Sequence, residues 1–207
     1  MNSLLNKLLV ILLLLCAISS GCAFSPAHLN LDYQSELGKK SPLSTIKPLT
    51  VSLNVEDQRV AGERDRVGNK KNGFGMVTAK VESNKEVGAI IYDAIKAELE
   101  TNGHKVVSSK DSQPDVTINT RLVKYWGETN VRFFEIEMVA TLNADISVLN
   151  PRNNSIAVSQ PIEATFRESR QIATDGAFES VLNGALAEFI RAFSREPSLL
   201  EALRANQ

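Results

Sequence analysis

The longest regular alternation of apolar and polar residues in this chain runs from Phe134 to Val148. All even-numbered positions of the stretch are apolar, and the odd-numbered positions between them are polar except for Val139. Because successive side chains of a strand point to opposite faces of a sheet, the pattern predicts one long strand with an apolar and a polar face. At ~3.3 Å per residue this strand would extend about 50 Å, which is longer than most strands, so we expect a bulge or strong twist.

Shorter stretches predict the strands that accompany it. Alternation over Leu49–Val55, Val116–Leu122 and Ile162–Phe166 indicates three further strands, and residues 105–109 indicate a short additional one. The apolar face of these strands must be covered by other elements, since one face of such a sheet has to be removed from water.

Two amphipathic helices are predicted to provide that cover. The first spans Val87–Leu99, begins at a capping box formed by Ser83 and Glu86, and ends before Gly103. The second has apolar residues at helical spacing after Asp175, namely Phe178, Val181, Leu182, Ala185, Leu186, Phe189, Ile190 and Phe193. We therefore predict an α+β fold, with a mixed, mainly antiparallel sheet of about five strands and two main helices packed on one face.

The start of the chain contains an apolar run, LLVILLLLCAISSGC, over residues 8–22. Its unbroken apolar part is too short for a transmembrane helix, which needs about 20 such residues. A positive charge at Lys7, a short apolar stretch and small residues before a cysteine are typical of the signal peptide of a bacterial lipoprotein. We predict that residues 1–21 are removed and that Cys22 is lipidated, although Ser19 stands where such signals usually carry Leu.

The cysteine content agrees with a lipid on Cys22. The chain has two cysteines, and removal of residues 1–21 would discard Cys16 and leave one thiol at the new N-terminus. Residues 22–47 contain scattered Pro, Gly and Ser without a sustained period, which predicts a lipidated N-terminus followed by a flexible tether. We expect residues 48–207 to form a single α+β globular domain.

Ala23 bears on localisation because it directly follows the cysteine. In enterobacterial-type sorting, an Asp at this position favours retention in the inner membrane. The resemblance to lipoproteins therefore implies delivery to the inner leaflet of the outer membrane, with the domain facing the periplasm. The expected partners are the membrane, through the lipid on Cys22, and an envelope protein, while the oligomeric state stays open.

Composition and motifs give no support for nucleic-acid binding or catalysis. The formal net charge of −1 provides no basic surface for nucleic acid. The two histidines, His28 and His104, are far apart in sequence, and we expect no metal or other cofactor. No nucleophile elbow, P-loop or dinucleotide fingerprint is present.

Glu135 and Glu137 would lie about 7 Å apart on one strand face, a spacing that glycosidases use, but a solvated face explains them better. We predict a non-enzymatic protein.

The most informative polar motif is DQR, which follows the first predicted strand and precedes a charged, glycine-containing loop. Residues i and i+2 of a strand share a face, so Asp57 and Arg59 can pair or bind the backbone of the loop. Gly68, Gly73 and Gly75 belong to that loop. These five residues are predicted to form either a latch that closes the edge of the core or a site for a ligand or partner.

Four aromatic residues flank a predicted hairpin turn. Tyr125 and Trp126 precede the turn, and Phe133 and Phe134 follow it. They can form a cross-strand cluster, or Tyr125, Trp126 and Phe133 can anchor an interface with a partner. Both interpretations stay open.

The first part of the predicted domain resembles a known family. LTVSLNVEDQR, the VG pair at 67–68, the glycines at 73–75 and the segment EVGAIIYDAIKAELETNGHKV resemble the YajG family of proteobacterial lipoproteins. These proteins share a signal ending in Cys, a strand leading into Asp-x-Arg, a glycine-bearing loop, and a helix closed by Gly before a strand. The resemblance covers about residues 48–123 and implies an envelope lipoprotein of unassigned biochemical function, with no catalytic residues to transfer.

Two functions fit these observations. The first is a non-enzymatic, periplasm-facing outer-membrane lipoprotein that acts as an accessory or adaptor in a cell-envelope complex. The alternative is a carrier for an apolar ligand such as lipid, held between the helices and the apolar sheet face. The carrier requires a cavity of several hundred Å³ in that interface.

Overall fold

A computed structural model of the protein describes residues 25–34, 39–108, 113–131, 135–153 and 155–206. The predicted signal peptide, the predicted lipidation site Cys22 and the candidate interface residue Phe133 lie outside the described residues.

Within these ranges the chain forms an eight-stranded mixed sheet and three α-helices. The strands are β1 (Ala27–Leu29), β2 (Thr50–Asp57), β3 (Arg66–Lys71), β4 (Val77–Ser83), β5 (Lys105–Val107), β6 (Val116–Val131), β7 (Ile136–Asn150) and β8 (Ser155–Arg170). The helices are α1 (Val87–Thr101), α2 (Asp175–Phe193) and α3 (Pro197–Arg204). The α+β class and the mixed sheet are confirmed, but the prediction of about five, mainly antiparallel strands understates the sheet.

The three longest strands form one antiparallel unit. β7 pairs with β6 on one side and with β8 on the other over nearly its whole length. It corresponds to the long strand predicted from the alternating residues, and its even-numbered side chains from Met138 to Val148 are buried. The bulge expected within this strand lies in its partners instead: Val123 of β6 and Ala157 of β8 are the extra residues, and β7 itself continues without interruption.

On the side of β6 away from β7, two smaller groups of strands share the edge. β2 pairs in parallel with the first part of β6, and β5 continues the sheet beyond β2, also in parallel. Farther along β6, Gly68 of β3 pairs with Gly127, and β4 and then β1 continue beyond β3. The sheet therefore branches at β6, with four of its strand pairs parallel.

Three strands were not predicted: β4 alternates Val77, Ala79 and Val81 with polar residues, whereas β1 and β3 have little periodicity to reveal them. β3 reads RVGNKK and contains one apolar side chain, Val67, among three charged residues. β1 contains three residues, which are too few to display a pattern. Their pairing depends on backbone hydrogen bonds to neighbours that are distant in sequence, so local residue patterns do not predict it.

The helices cover one face of the sheet, as predicted. α1 packs against β2 and β5, α2 packs against β6, β7 and β8, and the two helices contact each other. The interface is filled by large side chains, among which Phe178, Phe189 and Phe193 of α2 are fully buried. No helix in the described part of the chain is long and apolar enough to cross a membrane.

The segment predicted to be a flexible tether is largely packed against the domain. Ala27, Leu29 and Leu31 are buried, and a 3₁₀ turn at Pro42–Thr45 buries Leu43. The Tyr33 hydroxyl also donates a hydrogen bond of 2.9 Å to Oε2 of the buried Glu98 in α1. The prediction of a tether over 22–47 is corrected for the described residues from Ala27 onward, because these apolar side chains complete the core.

The start of α1 also differs from the prediction. Ser83 ends β4, and its hydroxyl donates to the carbonyl oxygens of Asp65, at 3.0 Å, and Lys85. α1 starts at Val87 after Glu86, without a side-chain cap, so the proposed capping box is wrong. Ser83 closes the junction of β4 with the neighbouring loop instead.

Candidate functional site: a cleft beside a bulge in β6

A β-bulge at Val123 reverses the orientation of the second half of β6. Leu122 pairs with Ala144 of β7, whereas Lys124 pairs with Asn143, so Val123 is the extra residue. Even-numbered residues point into the core before the bulge, and odd-numbered residues do so after it. Tyr125 is consequently buried, and Trp126 lies on the opposite face.

The bulge coincides with a gap in the strand pairing along the edge of β6. β2 ends where Asp57 lies opposite Leu122, and β3 joins the same edge at Gly68, opposite Gly127. Among the described residues, no strand pairs with residues 123–126 on this edge. The loop between β2 and β3 passes next to this gap.

Asp57 and Arg59 hold that loop in place. The Arg59 guanidinium donates two parallel hydrogen bonds to the Asp57 carboxylate, Nε to Oδ1 at 2.9 Å and Nη2 to Oδ2 at 2.8 Å. It also donates to the carbonyl oxygens of Arg64, at 2.7 Å, and Arg66, at 2.8 Å. Both side chains are largely buried. This geometry performs the latch function that the sequence offered as one of two interpretations, because one guanidinium joins the end of β2 to the start of β3.

The close approach of β3 to β6 depends on Gly68. A Cβ atom at this position would lie 2.8 Å from the carbonyl oxygen of Gly127. Glycine allows the two backbones to approach. Gly68 is therefore a packing residue at the border of the gap.

Trp126 and Arg66 form the next part of the site. The Arg66 guanidinium carbon lies 5.7 Å from the centroid of the Trp126 ring, a cation–π arrangement. The guanidinium also pairs with Glu63 and donates a hydrogen bond of 2.6 Å to Asn69 Oδ1. Its Nε atom is buried and has no hydrogen-bond partner. The Trp126 ring thus lies next to the Arg66 guanidinium, whose orientation is set by its contacts with Glu63 and Asn69.

These residues surround a cleft of about 550 Å³, which we call the Trp126 cleft. Val60 and Val123 are exposed apolar side chains on its wall. Its lining residues are Gln58, Arg59, Val60, Glu63, Arg66, Val123, Lys124, Tyr125, Trp126 and Glu128. The sequence prediction included Arg59, Tyr125 and Trp126, but the side chain of Tyr125 is fully buried, so only Arg59 and Trp126 present side chains to the cleft.

Tyr125 is not an interface residue. Its side chain is fully buried, and its hydroxyl donates a hydrogen bond of 2.9 Å to the carbonyl oxygen of Leu182 in α2. Burial raises the pKa of Tyr125 far above its usual value. Tyr125 therefore fastens α2 to β6, and its assignment as an interface aromatic is corrected because the bulge turns it inward.

Gly73 and Gly75 do not line the cleft. Both lie in the turn between β3 and β4, and a Cβ atom at Gly73 would meet nothing within 4 Å. Gly75 has φ +81°, a backbone conformation that glycine adopts without strain. The five residues predicted as one latch or site are thus divided between the border of the cleft and a separate turn.

The cleft presents recognition groups rather than a catalytic cluster. It offers an aromatic ring, two exposed valines and charges of both signs. Glu135 and Glu137, the carboxylate pair considered from the sequence, do not line the cleft, and Glu137 forms an ion pair with Arg167. Among the described residues, no group of three or more His, Cys, Asp and Glu side chains could hold a metal ion.

Comparison of the structure with solved structures shows related folds. A Xanthomonas campestris protein of the DUF330 family has a TM-score of 0.61 at 9% identity, covering 88% of this chain and 99% of that chain. A second, uncharacterized protein has a TM-score of 0.50 at 11% identity, covering 83% and 97%. A minor lipoprotein from Acinetobacter baumannii has 15% identity and a TM-score of 0.40, covering 72% and 91%. At these identities the first two similarities show the fold alone.

Comparison at the level of sequence identifies the family. The model of a family described as uncharacterized lipoprotein matches residues 40–204. No curated protein matches the chain. Because the family match spans most of the chain, including the strand, loop and helix that resemble the YajG proteins, this chain belongs to the YajG family of uncharacterised lipoproteins.

Proposed function

We propose that this protein is a non-enzymatic accessory protein of the cell envelope, lipid-anchored to the outer membrane and facing the periplasm, that binds a protein partner through the Trp126 cleft. Membership of a lipoprotein family supports a location in the envelope. The signal-like residues before Cys22, together with Ala23 after it, support the lipid anchor and the choice of membrane.

The observation that carries the binding function is the composition of the cleft. Tryptophan and arginine are the residue types most enriched among the energetic centres of protein interfaces. Here Trp126 stacks with Arg66, and Val60 and Val123 provide apolar surface beside them. The Arg59 latch fixes the loop that carries Val60, so little conformational entropy would be lost when a partner binds.

The alternative of a carrier for an apolar ligand lacks a comparable observation. Such a ligand would have to occupy the interface between the helices and the sheet. Phe178, Phe189 and Phe193 are fully buried in α2 and occupy that region. We therefore retain the adaptor as the proposed function.

Site-specific photo-crosslinking in intact cells tests the binding function. A photo-reactive amino acid is introduced into the full chain at Val60, at Val123 and, as a control, at Ile156, which is also exposed but lies outside the cleft. We expect one protein adduct of the same mass from positions 60 and 123 and none from position 156. Absence of an adduct from both cleft positions, or the same adduct from position 156, would refute a partner site in the cleft.

The lipid anchor has a separate test. Inhibition of lipoprotein signal processing should cause accumulation of a precursor that retains residues 1–21, and mass spectrometry of the untreated protein should find acyl groups on an N-terminal Cys22 peptide. Normal maturation during inhibition would exclude this route of anchoring. Fractionation of inner and outer membranes then measures the predicted enrichment in the outer membrane.

A further inference from the structure

Five of the exposed large apolar side chains lie in, or directly next to, three connections between elements of the fold. Each has between 56% and 91% of its surface exposed, and Phe74 is the most exposed of them. We call them the anchor-end surface, which consists of Phe74, Met76, Val77, Val131 and Ile172.

The strand directions place these connections at one end of the molecule. β3 and β6 are parallel, so both end there, and β4 and β7 start there. β8 also ends there, since Arg170 pairs with Ile136 at the start of β7. The turn from β3 to β4, the connection from β6 to β7 and the connection from β8 to α2 therefore share this end.

Lys70 brings the start of the described chain to the same end. Its Nζ atom forms an ion pair of 2.8 Å with Asp175, the first residue of α2. The same atom donates a hydrogen bond of 2.9 Å to the carbonyl oxygen of Ser25. One ammonium group thus holds together the β3–β4 hairpin, the start of α2 and the segment that leads back to Cys22.

The turn that carries Phe74 has a defined structure. The side-chain oxygen of Asn72 accepts hydrogen bonds of 3.0 Å from the backbone N–H groups of Phe74 and Met76. The backbone of Asn72 donates to Met76 and accepts from Gly75, both at 2.9 Å. The exposure of Phe74 is therefore maintained by the local fold.

Four of the charged groups near this surface form ion pairs, whereas Lys71, which lies opposite Val77, is exposed. Lys70 pairs with Asp175, and Arg170 pairs with Glu168. Such pairing lowers the cost of bringing this end of the protein close to a medium of low polarity.

Only Ala23 and Phe24 separate Ser25 from Cys22 in the sequence. Even a fully extended chain would span only about 10 Å between these two residues. A lipid on Cys22, which is part of the proposed function and on which this inference rests, would hold Ser25 within about that distance of the bilayer, at the end of the molecule that carries the anchor-end surface.

We propose that the anchor-end surface inserts into the bilayer that holds the lipid of Cys22. Exposed apolar patches are characteristic of protein or membrane interaction sites, and Phe is typical of the apolar face of segments that lie at the boundary between water and hydrocarbon. Phe74 and Ile172 would enter the region between headgroups and acyl chains to a depth of about 5–10 Å. The lipid and the protein surface together fix the orientation of the domain.

Depth measurement on the lipidated full chain tests this contact. The protein is reconstituted into vesicles of phosphatidylethanolamine and phosphatidylglycerol after a nitroxide is attached to a single introduced cysteine, in Phe74→Cys, Ile172→Cys or the control Ile156→Cys. Protein without an introduced cysteine gives the background, because a thioether on Cys22 does not react with the label. Collision with oxygen and with a water-soluble nickel chelate gives the depth of each label, and flotation of the same vesicles measures anchoring.

Labels at positions 74 and 172 should lie about 5–10 Å below the lipid phosphates, while the label at 156 stays in water. If the vesicles carry the protein but the label at 74 is as accessible to nickel as the label at 156, the insertion is refuted and the anchor stands. If the protein does not float with the vesicles, the lipid anchor is refuted, and the insertion with it. Because these side chains are exposed, unchanged urea midpoints verify that the variants are folded.

Discussion

At the scale of single residues, Arg59 has the most connected side chain of the Trp126 cleft. Its guanidinium satisfies one carboxylate and two carbonyl oxygens, which lie on both sides of the loop. Lysine retains the positive charge but cannot reproduce this planar arrangement of donors. The function of the residue is therefore geometric as well as electrostatic.

The variant Arg59→Lys should lower the free energy of unfolding by about 1–3 kcal/mol, since the largely buried Asp57 carboxylate and the Arg66 carbonyl oxygen lose donors. Urea denaturation measures this change. The matched control is Arg121→Lys, whose exposed ion pair with Asp145 spans 3.5 Å, and it should change stability by less than about 0.5 kcal/mol. Equal effects of both substitutions would contradict the latch.

Gly68→Ala should destabilise the protein by about 1–3 kcal/mol, because the new Cβ atom would lie 2.8 Å from the Gly127 carbonyl oxygen and force β3 away from β6. Thermal or urea denaturation provides the comparison. Gly73→Ala serves as the control, since its Cβ atom meets nothing within 4 Å. A Gly68→Ala protein as stable as the Gly73→Ala protein would show that the strands can separate without cost.

At the scale of elements, His104 joins the segment before β2 to the end of α1. Its Nδ1 atom accepts a hydrogen bond of 3.2 Å from the Leu49 N–H, so Nε2 carries the proton and donates to the Leu43 carbonyl oxygen at 3.2 Å. Burial lowers the pKa of His104 below the usual 6.5, while the hydrogen bond to Leu43 acts in the opposite direction. The ring is neutral in the folded protein at neutral pH.

Because the pKa is lower in the folded state, the unfolded chain binds more protons as the pH falls through 6.5. The contribution of His104 to stability is therefore present above pH 6.5 and decreases below it. Urea midpoints of the wild type should fall over this window, and His104→Gln should show a smaller decrease. His28 is present in both proteins, so it does not affect the comparison. A steeper decrease in the variant would contradict the neutral, buried ring.

The elements also show how far the sequence predicts the fold. β7 and α2 follow from periodicity, because each buries one face along its whole length. β1 and β3 do not, because their neighbours in the sheet are distant in sequence. The bulge at Val123 has the largest consequence for the site, since uninterrupted alternation in β6 would direct Trp126 into the core and Tyr125 out of it. Local pattern offered pairing of Asp57 with Arg59 or binding of the loop backbone as alternatives, and the structure shows both, but which carbonyl oxygens accept, those of Arg64 and Arg66, depends on the tertiary fold.

At the scale of the whole molecule, the packing of residues 27–34 and 39–47 changes the expected relation to the membrane. A free tether of about 25 residues would have allowed a reach of roughly 25–30 Å. The described chain instead contacts the domain from Ser25, through Lys70. Trp126 precedes the end of β6 by five residues, so the cleft would lie about 15–20 Å from the anchor-end surface. Lipid attachment at Cys22 would thus present the cleft at a defined height above the bilayer.

The most direct test of the proposed function is the yield of the adduct formed from a photo-reactive residue at position 123 in intact cells, measured with and without Trp126→Ala. Loss of a tryptophan at the energetic centre of an interface costs about 2 kcal/mol or more, which corresponds to a roughly 30-fold weaker complex. Ile156→Ser, at an exposed residue outside both the cleft and the anchor-end surface, is the control and should leave the adduct in place. We predict that Trp126→Ala abolishes the adduct in a protein that is still folded and anchored, whereas an unchanged yield would contradict the assignment of the Trp126 cleft as the partner site.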